Sequence, residues 1–299
     1  MIFRIYDDLS LPKIADSGQA FRVDGTGEYY RFLYKNNVIY IKEIIPTMYE
    51  ISAQTHFVDQ SVPVNKLKAP RKKNEDAPLF YASPKFFDEV VVPYFDLDRN
   101  YEELRKNAKG HSKFLDDALE FGKGIRILKQ DPLETLISFI ISQRKSIPAI
   151  KTSVELFAEK FGSKIKYPDL YFFPTLQQLA DIEPVDLIDM KLGYRDDYIY
   201  NTVKVLLKKP KLLDDMNKLS DVDLLMKLQE FDGVGLKVAS CVALFAYGRT
   251  AIAPIDTWIG KVIDRFFEGK SPFSEFGDEA GIIQQYIFYY ITHNKNLLD

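Results

Sequence analysis

Hydrophobic and polar positions alternate along the first third of the chain and then change period. β-Branched and aromatic residues dominate Glu28-Tyr-Tyr-Arg-Phe-Leu-Tyr34 and Val38-Ile-Tyr-Ile-Lys42, and Lys35-Asn-Asn37 between them predicts a hairpin. The Asp-Gly-Thr-Gly run at 24–27 predicts a turn before the first strand, and 48–52 predicts another strand, so residues 2–66 read as an antiparallel sheet. A polar, basic stretch at 65–76 predicts a surface loop. The alternation ends around 93–98, and from Tyr101 onward the spacing is helical. Asp131-Pro132 supplies a cap and a first-turn proline ahead of Leu133, Leu136, Ile137, Ile140 and Ile141. Ile150, Val154, Phe157 and Phe161 repeat that period, and the loop 142–148 between the two helices carries the adjacent cations Arg144 and Lys145. A further helix follows Leu192-Gly-Tyr-Arg195, with Val203, Leu206 and Leu207 inward. Another opens at Ser220-Asp-Val-Asp223 with capping-box spacing and buries Leu224, Leu225, Leu228 and Phe231. An aromatic-rich helix at about 279–292 closes the pattern. The fold class is α+β: an antiparallel sheet domain over 1–104 packed on a mainly helical domain over 105–299.

Composition narrows the function. With 299 residues, 46% of them hydrophobic, the chain can bury two or three modest cores. Its apolar stretches are short and interrupted by charge, and its start lacks the layout of an export signal. The expectation is an intracellular protein, in cytoplasm and nucleoid or in a nucleus, with no membrane partner. A single cysteine excludes an intramolecular disulfide and any four-cysteine iron–sulfur or zinc site. The formal net charge of −3 removes global attraction to nucleic acid, so a DNA partner would have to be held by a local basic face and main-chain amides.

The chemistry concentrates in Phe231-Asp-Gly233-Val-Gly235-Leu-Lys237-Val-Ala and, nineteen residues after the lysine, Ala253-Pro-Ile-Asp256. Gly233 and Gly235 allow a tight turn whose backbone N–H groups approach a phosphate, and Lys237 falls in the first turn of the next helix. The positive end of the helix macrodipole favours a free amine there over an ammonium. Asp256, just after a proline and before a helical pattern, can cap that helix while remaining an anion. Read singly, these are a helix-to-helix turn, a solvated lysine and a structural cap. Read together, they form a pocket at the positive ends of two helices, with a nucleophile for a sugar carbon and an anion for the cationic sugar.

These residues resemble the helix-hairpin-helix DNA glycosylases, and within them the lysine-bearing 8-oxoguanine DNA glycosylases, with the hairpin at about 220–247. Four more segments match in order: Asp16-Ser-Gly18-Gln-Ala-Phe-Arg22, Arg126-Ile-Leu-Lys-Gln-Asp-Pro-Leu-Glu134, Leu192-Gly-Tyr-Arg195 and Ala280-Gly-Ile-Ile-Gln284-Gln-Tyr-Ile-Phe288. The resemblance implies a bifunctional enzyme acting as a monomer on double-stranded DNA containing 8-oxoguanine. Lys237 would attack C1′, displace the base and leave an imine, and β-elimination would nick the strand. Asp256 would stabilise the oxocarbenium-like state. For the extruded base, the resemblance implies that the Gly18 carbonyl accepts the N7–H of the oxidised purine and that Gln284 reads the Watson–Crick edge. Phe288 and Cys241 would cover the two faces. Tyr194 would wedge into the duplex and Arg195 would contact the orphaned base. Arg144 stands where better-known members carry an asparagine, Ala149 where they carry an arginine that reads the opposite cytosine, and Trp258 where they carry a histidine near the phosphate. These departures weaken the expectation of a strict cytosine requirement. No redox or organic cofactor is implied; hairpin carbonyls in this superfamily can hold a monovalent cation. Two alternatives stay open: a related glycosylase for another damaged purine, and a helix-hairpin-helix protein that binds DNA without chemistry.

Overall fold

A computed structural model describes residues 1–55, 80–165 and 170–298. The predicted basic loop at 65–76 lies outside the described residues. The sheet comprises β1 (Ile2–Arg4), β2 (Val23–Thr26), β3 (Tyr29–Tyr34), β4 (Asn37–Ile45), β5 (Met48–Thr55) and β6 (Phe80–Tyr81). All pairings are antiparallel in the order β1-β5-β4-β3-β2, with β6 also on β5 beyond the end of β1. The predicted hairpin is β3–β4, turning through Lys35 at φ +52. The turn expected at 24–27 is corrected: those residues up to Thr26 are strand β2, paired Asp24 to Arg31 and Gly25 to Tyr30, and the chain reverses at Gly27. Pairing with β3 overrides the local turn preference of Asp and Gly.

A short helix α1 (Leu11–Asp16) interrupts the sheet, and α2 (Pro84–Phe86) runs through a π-turn into α3 (Val92–Tyr94). The helical part then follows as α4 (Tyr101–Asn107), α5 (Lys113–Phe121), α6 (Pro132–Ser142), α7 (Ile147–Phe161), α8 (Pro184–Ile188), α9 (Arg195–Lys208), α10 (Leu212–Met216), α11 (Asp221–Leu228), α12 (Leu236–Tyr247), α13 (Thr257–Phe266) and α14 (Ala280–His293). Asp131 caps α6 as its sequence predicts, accepting from the N–H groups of Leu133 and Glu134. The capping box expected at α11 is half formed. Ser220 accepts from the Asp223 N–H, but its hydroxyl then bonds the Asp223 carboxylate at 2.6 Å, so no reciprocal bond reaches the Ser220 backbone.

Two cores result. One joins the inner face of the sheet to Val91, Tyr94, Phe95 and Leu128. The other gathers the helices around the almost fully buried α12 and α14. Arg126 ties them together. Its fully buried guanidinium donates to the carbonyls of Phe95, Asp8, Asp96 and Arg99 and to the Asp7 carboxylate, and it lies 4.1 Å from the centre of the Tyr101 ring. Every direction of the guanidinium fork is satisfied, which is the condition for keeping such a charge out of water.

A second polar cluster crosses the same seam. Arg22 pairs with Glu155 at 3.0 Å, donates to the Tyr171 carbonyl, and has Glu134 at 3.9 Å. Burial pushes the Glu134 carboxyl from its ordinary 4.5 up to about 7, with Arg22 pulling the other way and Asp131 and Glu155 adding to the rise. Because the folded value is raised, the protonated form favours folding. That contribution is present below about pH 4.5 and is lost as pH rises to about 7. Glu134→Gln, which cannot ionise, is expected to gain on the parent between pH 5 and 8 by up to about 3 kcal/mol, at about 1.4 kcal/mol per pH unit. Chemical denaturation at the two pH values measures it, and parallel pH dependences would show that Glu134 ionises freely.

Candidate active site

The glycine hairpin links α11 to α12 and is anchored by the buried side chains Phe231 and Val234. Gly233 sits at φ +74 against Tyr198 of α9; a Cβ there would lie 2.1 Å from the ring, so no other residue fits. Asn201 of the same helix donates to Asp232 at 2.7 Å. Gly235, the N-cap of α12, meets nothing within 4 Å on its open side, leaving the first N–H groups of α12 approachable.

Lys237, in the first turn of α12, is half-buried with its Nζ 5.3 Å from the centre of the Phe139 ring of α6. Asp256 caps α13. Its Oδ1 accepts from the N–H groups of Trp258 at 3.0 Å and Ile259 at 2.9 Å, while Oδ2 accepts no hydrogen bond from the described residues. One carboxylate oxygen is therefore committed to the helix and the other is free. Both side chains line a single cavity, with Gly18, Cys241, Gln284 and Phe288 also in its wall. The two residues expected to carry the chemistry line one cavity.

The rest of that wall mixes polar and aromatic groups. Cys241 is one turn beyond Lys237 on α12; burial pushes its thiol up, with the Lys237 charge opposing and Asp256 reinforcing, which keeps the S–H form. Gln284 is 4% exposed, yet its Oε1 has no hydrogen-bond partner among the described residues. A buried acceptor left unsatisfied in this way is costly until a donor arrives. Gly18 takes φ +75, and a Cβ on it would stand 3.3 Å from the Phe288 ring. The cavity holds only about 60 Å³, room for a few waters and far less than an ordinary ligand pocket.

The remaining predicted residues lie outside this cavity and are linked to one another. Tyr194, 47% exposed, is the N-cap of α9, with the Arg195 guanidinium 5.0 Å from its ring centre. Arg195 itself is buried and donates to the Gln143 carbonyl, so here it braces the 142–148 loop. Gln143 in turn donates from Nε2 to the Gly233 carbonyl at 3.1 Å. Hairpin, loop and α9 are thus tied into one surface. Arg144 projects from it, exposed, at φ +54. Ala149 is exposed, and Trp258 carries the Lys261 and Lys295 ammonium groups, each 5.5 Å from its ring centre.

Phe139, Phe245, Pro254 and Gln285 also line the cavity without having been singled out in the sequence. The three apolar residues read as core from their spacing alone. Gln285 left a usable signal, because two consecutive glutamines in so apolar a helix as α14 call for buried partners. Among the described residues no helix is long and apolar enough to cross a membrane, and no cluster of His, Cys, Asp and Glu suits a metal ion.

Comparison with known proteins agrees along the whole chain. Residues 2–136 match the family model for the 8-oxoguanine DNA glycosylase N-terminal domain, and residues 137–273 match that for HhH-GPD superfamily base excision DNA repair proteins. The N-glycosylase/DNA lyase OGG1 of Arabidopsis thaliana is 28% identical over 191 residues, covering 62% of this chain and 52% of the relative. The chain spans about half the length of the first curated relatives it matches. The apo structure of the Clostridium acetobutylicum 8-oxoguanine glycosylase/lyase superposes with a TM-score of 0.80 at 30% identity, covering 97% of this chain and 95% of that one. The same protein with double-stranded DNA containing cytosine opposite 8-oxoG gives 0.81 at 28% identity, over 99% and 98% of the two chains. With the hairpin, the sheet domain and both family models in register, the chain belongs to the 8-oxoguanine DNA glycosylase family of the HhH-GPD base excision repair superfamily.

Proposed function

We propose that this protein is a bifunctional DNA glycosylase and abasic-site lyase that removes 8-oxoguanine from duplex DNA inside the cell, acting as a monomer. The observation that carries the reading is that Lys237 and Asp256 line one cavity together with Gln284, whose buried acceptor has no partner among the described residues. The Lys237 amine attacks C1′; the C1′–N bond of the base breaks and its electron pair leaves with the base. Asp256 lowers the energy of the cationic sugar as that bond stretches. The C1′–N adduct opens to an imine, and loss of a C2′ proton expels the 3′ phosphate. Water then releases the lysine.

Specificity follows from the wall. The Gly18 carbonyl accepts the N7–H that only the oxidised purine carries, and the unsatisfied Gln284 oxygen accepts from the N–H groups of its Watson–Crick edge. Phe288 and Cys241 enclose the two faces of the base. Around the cavity, Gly233, Gly235 and Arg144 approach the backbone while Tyr194 fills the gap. Arg195 joins them through the Gln143 loop that it braces. The hairpin offers only oxygen donors of the kind an alkali cation takes. The Gly233 carbonyl keeps a second lone pair beside its bond from Gln143, so it would be one oxygen ligand for a monovalent cation, which would take no part in the chemistry.

Duplexes carrying 8-oxoguanine opposite each of the four bases test the reading. Strand cleavage is expected with all four, at rates within about tenfold of one another, because the exposed Ala149 cannot make the bidentate contacts by which bases are told apart. Cleavage of none of them, alongside release of an alkylated purine, would reassign the lesion.

A further inference from the structure

The strap that carries Gly18 is held from several sides. Gln285 donates from Nε2 to the Ser17 carbonyl at 2.7 Å. Gln19, fully buried, donates to the Ser17 hydroxyl and the Arg126 carbonyl, both at 2.9 Å, and accepts from the Leu128 N–H at 2.7 Å. Gln130 donates to the Gln19 carbonyl at 2.7 Å. The carbonyls on either side of Gly18 are therefore occupied, whereas that of Gly18 accepts no hydrogen bond from the described residues. With Gly18 at φ +75, the directions of these three carbonyls are set by their neighbours.

We propose that Gln285 is a positioning residue for lesion discrimination: by holding the Ser17 carbonyl it fixes the direction of the Gly18 carbonyl. The proposal rests on the reading of Gly18 as the acceptor for N7–H. Gln285 is 3% exposed, lies in the cavity wall, and reaches a strap 268 residues away in sequence. Its helix, α14, also presents Gln284 and Phe288. One rigid element thereby holds the edge reader and the stacking ring, and it sets the main-chain reader through Ser17. Telling a donor at N7 from a lone pair depends on carbonyl direction as well as distance, and a direction is kept only when the supporting groups are themselves fixed.

The test compares two substrates of the whole protein: a duplex with 8-oxoguanine opposite cytosine and one with a preformed abasic site, which needs Lys237 but has no base to read. In Gln285→Met, which keeps length but loses the donor, single-turnover excision of 8-oxoguanine is expected to slow about tenfold while abasic-strand cleavage changes less than twofold. Gln285→Glu, which sets an acceptor against the Ser17 carbonyl, is expected to do the same without opening a void. In a Lys237→Gln background, the ratio of dissociation constants for guanine and 8-oxoguanine duplexes is expected to fall about tenfold towards one when Gln285→Met is added. Equal losses on both substrates, or an unchanged ratio, would overturn the positioning role. Parent protein without activity on 8-oxoguanine would instead remove the functional reading on which the proposal rests.

Discussion

Lys237→Gln is expected to reduce the borohydride-trapped protein–DNA adduct to background and to slow 8-oxoguanine excision on the order of 10⁴-fold or more, as loss of a covalent nucleophile does elsewhere. The glutamine keeps the first two methylenes of the lysine and replaces the ammonium near Phe139 by a neutral amide, so duplex affinity is expected to be retained. What disappears is the only group in the wall with a nucleophilic nitrogen: the amides of Gln284 and Gln285 are resonance-tied, and Cys241 is held as a thiol by its burial. Trapping with sodium borohydride on a duplex with an abasic site or 8-oxoguanine reads the result directly. An adduct of undiminished yield would put the nucleophile elsewhere in the chain.

Asp256→Asn is expected to slow base release by about 10²–10³-fold, the 3–4 kcal/mol that a directed electrostatic contact to a charged transition state supplies. The substitution separates two jobs that share one side chain. Oδ1 caps α13 through Trp258 and Ile259, and asparagine caps nearly as well, so the melting temperature is expected to hold. The oxygen not used in capping becomes an uncharged NH₂, and the cationic sugar loses its counter-charge. Asp256→Ala removes both functions and adds about 1 kcal/mol of instability. Single-turnover rates beside thermal melts of the two variants check the partition. A near-normal rate for Asp256→Asn would confine the residue to capping.

What the sequence made legible is what local chemistry decides. The cap-and-proline start of α6, the glycine hairpin, the lysine in the first turn of α12 and the cap at Asp256 each follow from a few adjacent residues, and each stands where its spacing puts it. Errors came where another partner, in a distant strand or in the next turn, displaces the expected one. The Asp-Gly pair at 24–25 looks like a turn until β3 is alongside, and the Ser220 hydroxyl finds a carboxylate nearer than the reciprocal backbone bond. Nothing in the sequence around Arg195 says that its guanidinium will be spent on the Gln143 carbonyl, or that Arg126 will be enclosed by four carbonyls and a carboxylate. The base pocket was legible residue by residue only through family resemblance; the Gln285 tie to Ser17 had no such guide.

Trp258 is the one tryptophan in the chain, and it follows the cap of α13 by two residues, with an ammonium group 5.5 Å from its ring centre in each of Lys261 and Lys295. Indole emission is sensitive to the charge around the ring, so the molecule carries a native fluorophore two residues from a side chain that lines its cavity. Titrating DNA while exciting that single chromophore would follow complex formation in real time, without dye or tag.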